Sequence, residues 1–123
     1  MNILIVDDEK NALLSLARLI PLKHKDVVIT EASSGQEAID YLNKQSFDAV
    51  ISDQRMGDIS GIDVLKHAYE KQPDARRVLL TGYTGEPGIR NAIESDIIEY
   101  LLEKGCSKET ILHALDDLWV RWS

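Results

Sequence analysis

The stretch that decides the fold is residues 3–9, which read Ile3-Leu4-Ile5-Val6-Asp7-Asp8-Glu9. Four apolar residues stand together, and three acidic residues follow them without a gap. A short, continuous apolar run is typical of a strand buried on both faces, as in a parallel sheet covered by helices. The change to acidic residues predicts that this strand ends at Val6 and brings carboxylates to one edge of the sheet.

Further apolar runs repeat this pattern along the chain, and segments of helical period separate them. The runs are Val27–Thr30, Phe47–Ile51, Val78–Leu80 and Ile97–Leu102. Such alternation is typical of βαβ units. It predicts an α/β fold with an open, doubly wound, five-stranded parallel sheet, flavodoxin-like (βα)5, with strand order 2-1-3-4-5. We expect a single domain over residues 1–123, with no output domain.

The helical segments carry their own signals. Ser34 stands three residues before Glu37, which is the spacing of a capping box and predicts a helix start. Residues 86–95 contain few apolar side chains and are expected to form the most loosely held helix. Leu112 and Trp119 lie off the apolar stripe of the last helix. If exposed, they would form a docking patch through which two copies of the chain could pair.

The composition excludes several classes of partner. Lys and Arg total 14 against 21 Asp and Glu, which gives a formal net charge of −7. A chain that binds DNA or anionic lipid directly usually carries the opposite balance, so neither nucleic acid nor a membrane is an expected partner. The one cysteine, Cys106, cannot form an internal disulfide, and no apolar run approaches the ~18 residues of a membrane span. We therefore expect a cytoplasmic protein.

Polar residues directly follow the apolar runs. They are, in chain order, Asp7, Asp8, Glu9, Asp53, Thr81, Glu103 and Lys104. The carboxyl ends of parallel strands meet at one edge of the sheet, so these side chains should converge there. Carboxylates brought together repel one another unless a cation compensates them. A hard divalent ion with oxygen ligands, Mg²⁺ in a cell, is the natural partner.

This set of groups fits the chemistry of phosphoryl transfer. A carboxylate can act as the nucleophile, a metal can neutralise phosphoryl oxygens, and a hydroxyl and an ammonium can bind the others. Asp53 is the best candidate for the nucleophile because it stands alone on its strand, whereas Asp7 and Asp8 can share the metal. Any one of these acidic residues alone is more often a loop or helix-cap residue. Only their joint occurrence at the strand ends favours a site.

The sequence resembles the response-regulator receiver family across essentially its whole length. The matching stretches are residues 3–9, Asp48–Met56 with Gly61, Val78–Gly82 and Glu99–Leu101. The resemblance implies a set of Mg²⁺ ligands, namely Asp7, Asp8, Asp53 and the backbone carbonyl of Arg55. It also implies that a histidine kinase or phosphotransfer protein phosphorylates Asp53, and that Thr81 and Tyr100 move on activation. The chain would then be a two-component switch that changes its binding to a downstream output protein or domain and turns over no separate substrate.

The sequence departs from the family pattern in two loops. Gly57 stands where the family usually has a proline, which should make the third loop more flexible. The family lysine usually lies three residues beyond the switch aromatic, and counted from Tyr100 that position holds Glu103, with Lys104 one residue later. Either the loop has one extra residue and Lys104 reaches Asp53, or the site has lost its lysine. We expect the first, with Glu103 facing solvent, because a fourth carboxylate would repel a phosphoryl anion.

Two other functions stay open on the sequence alone. The first is a pseudo-receiver, a module that binds partners without being phosphorylated. The second is a Mg²⁺-dependent phosphohydrolase that uses the same aspartyl-phosphate chemistry. The hydrolase is disfavoured because the chain has no cap segment to enclose a substrate.

Overall fold

The computed structural model describes residues 1–22, 26–82 and 84–122, and the side chains of residues 22, 108 and 118–122 lie outside the description. Strands and helices alternate along the chain. The elements are β1 Asn2–Val6, α1 Lys10–Leu19, β2 Val28–Ala32, α2 Gly35–Lys44, β3 Ala49–Asp53, α3 Gly61–Lys71, β4 Arg76–Thr81, α4 Ile89–Glu94, β5 Tyr100–Glu103 and α5 Lys108–Trp122. A 3₁₀ turn, Ile20–Leu22, follows α1 directly.

The strands form one parallel sheet in the order β2-β1-β3-β4-β5. This confirms the predicted flavodoxin-like topology. Asp53 at the end of β3 is paired with Leu80, and Thr81 at the end of β4 is paired with Glu103. The carboxyl ends of β1, β3, β4 and β5 therefore lie side by side at one edge of the sheet.

The sheet is buried on both faces, as the continuous apolar runs predicted. Along β1, Leu4 and Val6 belong to the core under α2, α3 and α4, whereas Ile3 and Ile5 belong to the core under α1 and α5. Ile3, Leu4 and Ile5 are fully buried. Burial of side chains of this size stabilises a fold by roughly 1.5–3 kcal/mol each. The strand ends are therefore held by a well-packed layer on either side.

The start of α2 agrees with the predicted capping box in part. The Ser34 hydroxyl accepts a hydrogen bond from the Glu37 backbone N–H at 3.1 Å. The Glu37 carboxylate accepts from the backbone N–H and hydroxyl of Ser33 and does not return to Ser34. A side-chain cap of this kind typically contributes ~1 kcal/mol. Helix α2 therefore begins where the sequence indicated, one residue after its cap.

Helix α4 differs from its predicted form, and the prediction for α5 is not tested. Helix α4 has six residues, shorter than the predicted segment 86–95, and starts after Gly88 at φ +93°. Its Ile89 and Ala92 are buried, whereas Ile93 is exposed. In α5, Leu112 is half-buried, and the side chain of Trp119 lies outside the described residues. The docking patch on α5 thus stays a prediction.

Within the described part of the chain, none of the helices combines the length and the apolar character that a bilayer crossing needs.

Candidate functional site

Three carboxylates meet at the carboxyl ends of β1 and β3. Asp7 is 1% exposed and Asp53 is 4% exposed, whereas Asp8 is exposed. One carboxylate oxygen from each of the three lies within 4.8 Å of the others. The predicted convergence of acidic side chains is therefore present in the structure.

Backbone donors hold one oxygen of each buried carboxylate. The Glu9 N–H donates to Asp7 Oδ1 at 2.9 Å, and the Gln54 N–H donates to Asp53 Oδ1 at 2.9 Å. Asp7 Oδ2 is buried and accepts no hydrogen bond from the described residues. A buried oxygen without a hydrogen bond is costly, and a bound cation would offset that cost. The arrangement therefore fits a hard divalent ion with oxygen ligands.

The raised pKa of Asp7 also fits a bound divalent cation. Burial raises the pKa of the Asp7 carboxyl above its usual value, and the charge of Asp53 raises this pKa further. The hydrogen bond from the Glu9 N–H and the charge of Lys104 lower the pKa but do not cancel the rise. The charged form of Asp7 is therefore disfavoured by its surroundings, and a divalent cation would be the largest local charge to offset that cost.

Lys104 supplies the cation of the site. Its Nζ lies 3.1 Å from Asp53 Oδ2 and 3.6 Å from Asp7 Oδ2, with the side chain 34% exposed. Burial by itself would lower the pKa of the Lys104 ammonium, but the hydrogen bond to Asp53 and the charges of both carboxylates raise the pKa overall. Gly105, which follows, has φ +90°, a conformation that glycine adopts readily and that a proline could not adopt. The expected salt-bridge distance between Lys104 and Asp53 is confirmed.

Glu103 does not line the acidic cleft. Its side chain is exposed and lines the groove between α1 and the loop after β5. The acidic cleft itself has a volume of about 600 Å³. Its lining residues are Asp8, Glu9, Asp53, Arg55, Thr81, Gly82 and Lys104. The exposed side chain of Glu103 agrees with the expectation that it faces solvent.

Thr81 and Arg55 line the same cleft, Thr81 from the end of a strand and Arg55 from a loop. Thr81 is the last residue of β4, is buried, and lies two residues after Leu79, which packs under α2, α3 and α4. The Thr81 side chain therefore points to that face of the sheet. Arg55 is in the loop after β3, and its guanidinium lies 3.7 Å from the carboxylate of Glu86. Both predicted residues are thus at the site.

The structure places Tyr100 and Thr81 on opposite faces of the sheet. Tyr100 packs on the opposite face, under α1 and α5, and its hydroxyl donates to Asp117 Oδ2 at 2.6 Å. Leu101 packs on the face that Thr81 shares, because side chains alternate along a strand. Counted from Leu101, Lys104 lies three residues further on. The residue at the family spacing from Lys104 is therefore Leu101, which is not aromatic.

The sequence did not show the structural roles of Gln54 and Gly61, which connect the end of β3 at Asp53 to the start of α3. Gln54 accepts hydrogen bonds from Gly61 N–H through its carbonyl and from Ile62 N–H through its side chain, both at 2.9 Å. A Cβ on Gly61 would lie only 2.1 Å from the Asp53 carbonyl oxygen, so only glycine fits at the start of α3. Gly61 was noted only as part of the resemblance. Nothing in its local sequence shows this close approach, which depends on how α3 packs against β3.

Residues 3–116 match the family described as the response regulator receiver domain. The chain belongs to this family. Among curated proteins, it is 31% identical to the hydrogenase transcriptional regulatory protein HoxA of Cupriavidus necator over 82% of the chain, but spans only 20% of HoxA. Receiver domains of response regulators act in two-component signalling and are not enzymes that turn over a substrate.

Solved structures with bound groups resemble the domain as well. A response regulator of Burkholderia pseudomallei, solved with a phosphorylated aspartic acid, a calcium ion and citrate, is 29% identical with a TM-score of 0.77, over 93% of this chain and 65% of that one. The response regulator TrrA of Thermotoga maritima, solved in complex with Mg²⁺-BeF, is 29% identical with a TM-score of 0.78, over 95% and 97%. The acidic cluster of this receiver domain is typical of a phosphorylation site with a divalent ion.

Proposed function

We propose that this receiver domain accepts a phosphoryl group on Asp53 from a histidine kinase or phosphotransfer protein, with Mg²⁺, and changes its binding to an output protein or domain. The observation that carries the proposal is the Lys104 ammonium 3.1 Å from Asp53 Oδ2, inside a cluster of three carboxylates. A pseudo-receiver has no need for this cation at the acceptor. The geometry therefore favours a working phosphoryl-acceptor site.

The ligands of the metal would be Asp7, Asp8, Asp53 and the backbone carbonyl of Arg55. All are hard oxygen donors, the kind that Mg²⁺ prefers in proteins, and Asp7 Oδ2 already lacks a hydrogen bond within the described residues. When bound, the ion would supply positive charge to the phosphoryl oxygens. The Mg²⁺-BeF complex of TrrA supports the choice of metal.

The transfer step uses groups that the cleft already positions. A carboxylate oxygen of Asp53 attacks phosphorus, a new P–O bond forms, and the P–N bond of the donor phosphohistidine breaks. The electron pair of that bond leaves with the imidazole, which takes up a proton. The Lys104 ammonium and the Thr81 hydroxyl would hold two phosphoryl oxygens as charge shifts onto them.

The response would start at Thr81 and pass to the face that carries α4. Thr81 lies beside the acceptor and shares its face of the sheet with Leu101. Movement of the Thr81 hydroxyl towards the phosphoryl group would shift a pre-existing equilibrium of the β4–α4 region. Tyr100 lies on the other face of the sheet, so we assign it no part in this coupling.

Intact-mass spectrometry tests the proposal. The protein is incubated with a small phosphodonor such as acetyl phosphate, with and without Mg²⁺, beside an Asp53→Asn variant of nearly equal shape. We expect a gain of one phosphoryl group in the wild-type protein with Mg²⁺, and none in the variant. A wild-type protein that stays unmodified with Mg²⁺ and donor would instead support a pseudo-receiver.

A further inference from the structure

The loop between β3 and α3, residues 54–60, is fixed at its two ends but lacks a proline in its middle. Gln54 holds the end of the loop through the hydrogen bonds from Gly61 and Ile62. Gly57 in the middle has φ +69°, and a Cβ placed there would meet nothing within 4 Å. Backbone freedom at this position is therefore limited neither by a ring nor by packing of a side chain.

Asp58 ties this loop to the start of α2. Its Oδ1 accepts a hydrogen bond from the Gly35 N–H at 3.2 Å, and its Oδ2 accepts from the Gln36 N–H at 3.0 Å. These are the first two residues of α2, where backbone N–H groups lack partners inside the helix and the helix dipole favours an anion. The hydrogen bond from Gln36, then those from Ile59 and Gly35, lower the pKa of the Asp58 carboxyl, which keeps it anionic at neutral pH.

The contact between loop and helix is close as well as polar. A Cβ on Gly35 would lie 2.7 Å from Ile59 Cβ, so the first turn of α2 lies directly against the loop. The backbone N–H of Asp58 donates to the Met56 carbonyl at 2.6 Å, and the Met56 side chain is buried. The segment from Met56 to Asp58 is thus held at one point by the core and at a second point by α2.

We propose that Asp58 is a positioning residue for the metal site: by holding the β3–α3 loop against α2, it fixes the backbone carbonyl of Arg55 for Mg²⁺. This inference rests on the proposed function. The tether replaces the rigidity that a proline at position 57 would give. Groups that orient a metal ligand influence affinity without touching the ion, because they reduce the freedom that the ligand loses on binding.

Ser34 offers a matched control for this role. It caps the same helix through the Glu37 N–H and belongs to α2, not to the loop. Ser34→Ala should therefore weaken the start of α2, as Asp58→Ala does, while the loop keeps its tether. Asp58→Asn loses the charge but keeps an oxygen that accepts a hydrogen bond, so it separates the tether from simple long-range attraction of Mg²⁺.

Calorimetric titration with Mg²⁺ alone tests the inference on the full chain. We expect Asp58→Ala to weaken Mg²⁺ binding by on the order of 3–10-fold, somewhat less than direct partners of a ligand usually do. Asp58→Asn keeps one of the two accepting oxygens and should fall between the wild-type protein and Asp58→Ala, and Ser34→Ala should match the wild-type protein. In phosphorylation by acetyl phosphate, the Asp58→Ala defect should disappear at saturating Mg²⁺, since the chemical step is intact.

Wild-type affinity in Asp58→Ala, or an equal loss in Ser34→Ala, would overturn the role of Asp58 while leaving the metal site in place. An equal loss in Asp58→Asn and Asp58→Ala would assign the effect to charge and also overturn the tether. If the wild-type protein itself bound no Mg²⁺, the proposed metal site would fail first, and the role of Asp58 with it.

Discussion

The Lys104 ammonium faces two buried carboxylates in the site, those of Asp7 and Asp53. Lys104 Nζ lies closer to Asp53 Oδ2 than to Asp7 Oδ2, at 3.1 and 3.6 Å. The charge of Lys104 lowers the pKa of Asp7, whereas burial and the charge of Asp53 raise it. The pKa of Asp7 stays above its usual value, so Lys104 does not cancel these two effects. The two acidic residues therefore differ in how well their charge is compensated: Asp53 is paired with Lys104, whereas the buried charge of Asp7 is compensated less.

The first prediction concerns Lys104. Its replacement by alanine should slow phosphorylation of Asp53 by on the order of 10–100-fold, because a preorganised charge that stabilises the transferring oxygens is lost. Glu103→Ala should be nearly silent, since Glu103 faces the groove beside α1. Rates of mass gain with acetyl phosphate, at fixed Mg²⁺, compare the two. A strong effect of Glu103→Ala together with a silent Lys104→Ala would reverse the assignment.

The second prediction concerns how much the buried charge of Asp7 destabilises the fold. Without divalent ions, Asp7→Asn should stabilise the protein by ~1 kcal/mol, seen as a rise of a few °C in Tm, because one of three clustered charges is removed. In the folded protein, the pKa of Asp7 is raised above its usual value of 3.8. The stability advantage of Asp7→Asn should therefore be complete at pH values above this folded-state pKa and should fade as the pH falls through it. Added Mg²⁺ should reduce or reverse the difference. A destabilised metal-free variant at pH 7 would contradict this account.

At the scale of elements, the apolar runs predicted the strands well but not which face each side chain takes. Residues 97 and 98 belong to the last apolar run, yet β5 begins only at Tyr100. An apolar run indicates burial, and Ile98 is buried in the irregular segment before the strand. In a strand that packs on both faces, the sequence shows no polar alternation, so a slip of one residue cannot be seen. The face that Tyr100 takes could therefore not be read from the sequence.

The third prediction follows from the register of β5. Tyr100→Phe removes the hydrogen bond to Asp117 and should cost ~1 kcal/mol or less of unfolding free energy, because the bond is exposed. It should leave phosphorylation and the change in partner binding intact. Leu101→Ala should alter the response to phosphorylation, since Leu101 shares its face with Thr81. Urea unfolding and a partner-binding assay before and after phosphorylation check both. Loss of the response in Tyr100→Phe alone would restore a switch role for Tyr100.

At the scale of the whole molecule, the site depends on topology more than on any one motif. Four strands with consecutive carboxyl ends, β1, β3, β4 and β5, bring together residues as distant in sequence as Asp7 and Lys104. The strand order was predictable from the alternation of runs and helices, and with it the convergence of the site. The tether through Asp58 was not, because it depends on the distance between two loops that only the packed structure sets.

The fourth prediction separates acceptance of the phosphoryl group from its consequence. Thr81→Ala should still be phosphorylated on Asp53, since the carboxylates and Lys104 remain. It should fail to change its affinity for an output partner, because the hydroxyl that would follow the phosphoryl group is missing. Binding of the phosphorylated and unmodified variant to that partner measures the coupling. A Thr81→Ala protein with the full wild-type change in affinity would exclude this route.

The most direct test of the central claim is to map the modified residue chemically. The protein is phosphorylated with acetyl phosphate and Mg²⁺, reduced with borohydride, digested and sequenced by tandem mass spectrometry. Borohydride reduces an aspartyl phosphate to homoserine, which marks the acceptor permanently. We predict homoserine at position 53, only after phosphorylation and only with Mg²⁺. Homoserine at Asp7 or Asp8, or none at any position in a protein that has gained a phosphoryl group, would contradict the assignment of Asp53.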